Sequence, residues 1–244
     1  MNGTVASITL RQLLSRRRVI LLLLLAGVLI LVAFVLRISL DDVYLENYAA
    51  QVLSLLGVAT LMPLVALLFG TGAIGSELED GTAVFLLAKP ISRATIGLTK
   101  LVVAAGCSVV LTAVPMLAAG LIAAGHLDPG LAIAFAAASA VGAVIYTALF
   151  LALSLVTSRA LVIGLGYVLI WEGVLAGLFA GTRTFSVREH TLAIADALTD
   201  APPDVFAAQL DLTTALVVGG VVLVGATLLA IRRLVTIEIA GEAA

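Results

Sequence analysis

Charge is scarce in this 244-residue chain, where charged residues make up 11% of the total, against about 25% in ordinary soluble domains. Hydrophobic residues fill 62% of it instead. So little polar surface cannot clothe a water-soluble core of this size, which excludes a soluble globular enzyme. Disorder is excluded too, because a chain this apolar does not stay solvated as a coil. There is a single cysteine, Cys107, so no internal disulfide can form and the redox compartment is not readable. His126 and His190 stand alone in predicted loops, and no Cys/His cluster has metal-ligand spacing. No Gly-x4-Gly-Lys-Ser/Thr run occurs, so the chain carries no phosphate-binding loop and is not itself an ATPase. Gly70, Gly72 and Gly75 spell a dinucleotide fingerprint, but they end an apolar run and no strand precedes them. The apolar runs hold no paired aspartates and no credible Ser/His arrangement, which argues against an intramembrane enzyme.

What is present is length of apolar sequence. The runs far exceed the roughly ten residues of a membrane strand and alternate little, so the predicted class is an all-α polytopic membrane protein. Runs near 20 residues predict six transmembrane helices, at about 19–36, 49–75, 99–124, 131–155, 160–180 and 213–231. They form one domain over 19–231, with an interfacial helix over 1–18, an outer segment over 182–211 and a tail over 232–244. The turn signal Asp128-Pro129-Gly130 separates the third and fourth spans. Arg16, Arg17 and Arg18 before a leucine run resemble a signal peptide. The run is longer than a signal core and no clean cleavage site follows, so a retained first helix is expected. Of the 13 basic residues, 10 fall on the side of the N-terminus, and most acids outside the apolar runs fall on the other. The N and C termini are therefore expected to be cytoplasmic.

Residues 1–18 place Val5, Ile8, Leu10, Leu13 and Leu14 on a helical apolar face ahead of the three arginines. This pattern suits a helix lying among anionic headgroups, or plain positive-inside anchoring. Pro63 and Pro115 predict kinks in the second and third spans, either static or marking a moving segment. Glu172 interrupts the fifth span, where a carboxylate costs at least about 2.5–3.5 kcal/mol. Two roles fit it: a substrate, proton or gate site, or an interhelical hydrogen bond to Tyr146, Thr147 or Tyr167. Gly173, Gly177 and Gly181 recur every four residues and form a smooth face for close packing, within one chain or between two. In the outer segment 191–198 is helix-like, Pro202-Pro203 breaks it, and Phe206 is expected to dip into the outer leaflet.

The loop between the second and third spans is the most patterned stretch. Glu77, Glu79 and Asp80 crowd negative charge at a helix end, and Gly81 permits a turn. Residues 82–88 are expected to form a short apolar helix ended by Lys89 and Pro90, and Ser92 is placed to cap the next helix. The order Glu77 and Glu79, Gly81-Thr82, Leu86-Leu87, Pro90-Ile91-Ser92-Arg93, then Lys100, resembles the signature of ABC-2-type transporter permeases. The six predicted spans and the basic N-terminal helix extend that resemblance over nearly the whole chain.

The resemblance implies a role that pattern alone does not. In this family the loop is a short cytoplasmic coupling helix that docks on a separate ATP-binding-cassette subunit. Two such ATPase subunits would bind ATP and magnesium, leaving no cofactor on this chain. A second permease copy, or a related permease, would complete the membrane path in a bacterial cytoplasmic membrane. Short external or re-entrant helices between the last two spans also fit the family. Its exporters move drugs, peptides, lipids or polysaccharides, so the resemblance does not name a substrate. Membrane lipids are expected partners and nucleic acid is not. The alternative is an ATP-independent, proton-coupled carrier with Glu172 as its proton site. Carriers of that kind tend to have internal repeats and several intramembrane charges, and neither is evident here.

Overall fold

A computed structural model of the chain describes residues 3–79, 92–176 and 180–236. The tail beyond 236 and residues 80–91 of the expected coupling loop lie outside the described residues. Every regular element among the described residues is helical. Helix α1 spans Gly3–Leu13 and α2 Arg16–Ser39. Helix α3, Asp42–Val52, runs through a π-helical segment, Leu53–Leu61, into α4, Met62–Glu79. Helix α5 is Arg93–Ala124 and α6 is Pro129–Val156. Helix α7, Ala160–Gly166, continues as a second π segment, Tyr167–Leu175. A 3-10 turn, Ala180–Phe185, leads to α8, Val187–Leu198, and α9 is Leu212–Thr236.

Five helical stretches are long and apolar enough to cross a membrane: Arg18–Ser39, Tyr44–Gly75, Arg93–Ala124, Pro129–Val156 and Leu212–Thr236. The second begins several residues earlier than the sequence reading placed it. The expected fifth span is the apolar helix Ala160–Leu175, shorter than the others. Helix α5 has 32 residues, about 48 Å of helix, whereas a bilayer's hydrocarbon core is about 30 Å thick. It is therefore longer than a span perpendicular to the bilayer needs.

Helix α6 forms the centre of the bundle and packs on α5, α4, α9 and α8. It is rich in alanine, and buried Ala134, Ala138, Ser139, Gly142 and Ala143 keep its surface low. Without a hydrophobic driving force between helices in lipid, such small residues let backbones approach and gain dispersion contacts. A Cβ on Gly120 would press into Ala132, and one on Gly70 would press into Phe150 and the Thr147 carbonyl. The turn before α6 forms as its sequence predicts. Asp128 Oδ1 accepts from Gly130 N at 2.8 Å and Leu131 N at 3.2 Å, with Pro129 in the first turn. Leu21, Leu24 and Leu31 of α2 and Val217, Val221 and Val224 of α9 lie exposed, which suits a lipid solvent.

The predicted kink at Pro63 takes the form of the π segment that precedes it. Proline has no N–H to donate and its ring crowds the carbonyl one turn back. Wider turns accommodate this: the Met62 amide reaches back to the Gly57 carbonyl, and Thr60 Oγ1 donates to the Leu55 carbonyl at 2.8 Å. Helix α5, by contrast, runs on through Pro115.

Two expectations for the outer segment need correction. His190 is not in a loop: it lies within α8 and is fully buried. Phe206 does not project into lipid but packs on Phe135, with ring centroids 4.9 Å apart. Helix α8 as a whole folds back onto α6 and α9, burying Val187 and the run from Glu189 to Ala195. At the same end, Asp42 Oδ1 lies 3.0 Å from His126 Nε2 and 3.6 Å from Arg37 Nη1, tying the α2–α3 turn to the α5–α6 turn. These pairs are exposed and add little stability.

Candidate functional site

Two polar centres stand at opposite ends of the bundle. The first is a carboxylate knot around Glu172. The π segment turns Glu172 inward, where it is buried, toward the start of α8. Tyr167 donates its hydroxyl to Glu172 Oε1 at 2.9 Å, and the Val187 amide donates to the same oxygen at 3.0 Å. The Ser186 hydroxyl donates to Glu172 Oε2. Ser186 also caps α8, accepting from the Glu189 amide at 3.1 Å. The carboxylate thus sits at a helix N-terminus, where unsatisfied amides and the helix dipole favour negative charge. Of the three partners the sequence offered, Tyr167 bonds to Glu172. Thr147 instead donates to Ser108 Oγ at 2.9 Å and to its own helix. Tyr146 is fully buried beside Glu172.

The sequence reading missed Ser186. A serine three residues before a glutamate is the start of a capping box, and that signal was present at Ser186 and Glu189. Nothing local indicated that the same hydroxyl would reach a carboxylate 14 residues upstream. Around the knot, His190 Nε2 is 2.8 Å from the Thr184 carbonyl. Thr191 Oγ1 donates to the Val187 carbonyl at 2.9 Å and faces Met62 Sδ. Burial pushes the Glu189 carboxyl above the usual range, while Arg188 and Arg183 pull it back down. Farther along, the Thr214 amide donates to Asp211 Oδ2 at 2.8 Å at the start of α9, and these bonds hold the Asp211 carboxyl below the usual range.

Of the two readings of the glycine face, packing within one chain finds no neighbouring helix at Gly173 or Gly181. Gly173 is exposed, and a Cβ there would meet nothing but the Val168 carbonyl, at 3.6 Å. A Cβ at Gly181 would meet nothing within 4 Å. Gly177 lies outside the described residues. The close-packing glycines are instead Gly57, Gly70, Gly120, Gly142 and Gly164.

The second centre is at the other end. Glu77 and Glu79 belong to the last turn of α4. Asp80, Gly81, Thr82, Leu86, Leu87, Pro90 and Ile91 lie outside the described residues. Beyond them, Ser92 caps α5 as expected, accepting from the Thr95 amide at 3.2 Å. Arg93 Nη1 donates to the Val235 carbonyl at 3.0 Å and the Leu234 carbonyl at 3.4 Å, satisfying carbonyls at the end of α9. Lys100 is buried and donates to the Ala73 carbonyl of α4 at 2.6 Å. An ammonium is costly to bury unless hydrogen-bonded, so Lys100 holds α5 to α4. Helix α1 docks on the same corner through buried Val5, Thr9 and Leu13. The Arg18 guanidinium lies over Gly72, where a side chain would displace it. The expected apolar face of α1 is divided: Leu13 and Val5 point into the bundle, and Ile8, Leu10 and Leu14 point out.

No group of three or more His, Cys, Asp or Glu side chains among the described residues is arranged to hold a metal ion. The geometry is that of a helical bundle tied at both ends by buried polar contacts. No curated protein matches the chain. The family model described as ABC-2 family transporter protein matches residues 4–236. With that match over nearly its whole length, and with several apolar helices of membrane-spanning length, this multi-pass membrane protein belongs to the ABC-2 transporter family.

Proposed function

We propose that the chain is the membrane-spanning permease subunit of an ATP-driven exporter, forming the substrate path and receiving work from a separate ATPase. The observation that carries this reading is the family match over residues 4–236. In it, six spans leave both termini in the cytoplasm of a bacterial cell, with Ala160–Leu175 as the fifth span. Residues 77–93 form the coupling helix, and Glu77, Glu79, Asp80 and Arg93 supply charge for docking. Two ATPase subunits bind ATP and magnesium, and a second permease copy completes the path. The permease does no chemistry. ATP favours one of its two conformations through a difference in affinity.

The second polar centre supports this assignment of the cytoplasmic corner. Lys100 joins α5 to α4, and Arg93 joins α5 to α9. A push on the loop between α4 and α5 therefore reaches three helices together. At the other end, α8 held by Glu172 serves as an outer gate. Glu172 already accepts from three donors, which favours a positioning role over a proton-carrying one.

The test is purification with the cassette ATPase and comparison of ATP hydrolysis for wild-type and Glu79→Lys protein. A stable complex whose hydrolysis depends on the loop is expected. Failure to bind any cassette ATPase would turn attention to the carrier reading. In that case Glu172→Gln would abolish transport while leaving the fold intact.

A further inference from the structure

Helix α8 carries His190, fully buried, into its packing on α6 and α9. The two ring nitrogens are treated unequally there. Nε2 lies 2.8 Å from the Thr184 carbonyl, and a carbonyl only accepts, so Nε2 carries the hydrogen. Nδ1 is buried without a partner among the described residues. It abuts α9 at Gly219, where a Cβ would sit 3.4 Å from it. In the neutral ring Nδ1 is a bare lone pair. In the charged ring it becomes a donor with nothing to receive its hydrogen, and a charged group left unsatisfied costs more than a neutral one.

The surroundings place no free acid against it. Over 212–231, α9 has no titratable side chain, and its carbonyls are engaged within the helix. The π segment Leu53–Leu61 has none either, and α6 holds Tyr146 as its one titratable side chain. Glu172 is occupied by its three donors. Glu189 lies within electrostatic reach of His190, but Arg188 and Arg183 act on it as well. Asp196 is part-exposed farther along α8.

We propose that the α8–α9 contact is a pH-sensitive latch, closed by neutral His190 and released when Nδ1 takes a proton. Imidazole is the side chain that changes charge just below neutral pH. The closed contact favours the neutral ring, so acid weakens it and return to neutral pH restores it. Release admits water to Nδ1 while α6 keeps its packing. The latch rests on the buried ring and not on the ATPase-coupling reading, so each can fail without the other.

The experiment is hydrogen–deuterium exchange on the full-length protein in detergent, from about pH 7.5 to about pH 5.5. Rates are corrected for the intrinsic pH dependence of amide exchange. The opening constant of Val187–Leu198 is expected to rise by up to about tenfold per pH unit, the slope of one proton, while α6 is unchanged. His190→Gln keeps a donor for the Thr184 carbonyl but takes no proton, and is expected to lose the slope. Gly219→Ser supplies an acceptor beside Nδ1 and is expected to flatten it. Gly219→Ala adds the same Cβ without an oxygen and is expected to keep it. The tightest other neighbour of that Cβ is the tip of Ile145, at 3.3 Å, a flexible end that can give way, so both variants are expected to fold. Glu189 works with the opposite sign, since burial raises its carboxyl, and Glu189→Gln is expected to steepen the slope. A flat wild-type profile, an unchanged slope in His190→Gln, or serine and alanine at 219 behaving alike would overturn the proposal. So would equal opening of α6, which would mean that acid unfolds the whole bundle.

Discussion

Glu172 shows how one buried carboxylate in an apolar helix can be tolerated: its cost is offset by an amide and two hydroxyls that donate to it. Glu172→Ala strands all three donors in a buried site. It is expected to destabilise the protein by on the order of 3 kcal/mol, read as a lower Tm in detergent. Glu172→Gln keeps one accepting oxygen and should lose less than half as much. Gly142 makes the opposite argument, from space. A methyl there would collide with Thr191 Oγ1 and Met62 Sδ, so Gly142→Ala is expected to cost about 1–3 kcal/mol. Gly166→Ala, where a Cβ meets nothing within 4 Å, should be neutral or slightly stabilising. Glu189 adds a pH dependence. Burial raises its carboxyl in the folded state, so the folded protein holds that proton more tightly than the unfolded chain. Its contribution therefore favours folding at low pH and is lost as pH climbs from the ordinary carboxyl range through the raised value. Thermal unfolding across that window should decline less in Glu189→Gln than in wild type.

Among the elements, α8 is tied down at its start by a single residue. Ser186 both caps it and ties it to Glu172. Ser186→Ala is expected to speed amide exchange across Val187–Leu198 while leaving α6 protected, measured by hydrogen–deuterium exchange. The long spans were legible in the sequence because lipid demands about 20 apolar residues in a row, and composition reports that directly. The Asp128-Pro129-Gly130 turn and the Ser92 cap were legible because both signals are local. Burial of α8 was not, since Arg188, Glu189 and His190 give it the look of a surface helix, and only its tertiary partners reveal otherwise. The two π segments were also hidden, because Pro63 and Glu172 announce a disturbance without saying how the backbone absorbs it. The glycine repeat at Gly173 and Gly181 was visible, but repeat spacing does not say what, if anything, packs against it.

At the scale of the whole molecule, topology is the open quantity that charge counting predicts. In a Cys107→Ser background, single cysteines at Gly3 and Thr236 should react with an impermeant thiol reagent only in inside-out vesicles. A cysteine at Pro203 should react only in right-side-out vesicles. Labelling of Gly3 and Thr236 from opposite faces would require an odd number of spans. The burial of Lys100 against the Ala73 carbonyl has a practical corollary for finding the partner. The sequence contains two lysines, Lys89 and Lys100. With the second sealed in the bundle, amine-directed reagents have Lys89 as their one side-chain target, and Pro90 after it protects that bond from trypsin. An amine-reactive crosslink from Lys89 of the native protein to an ATPase would therefore map the junction to the 77–93 loop, without any engineered reporter.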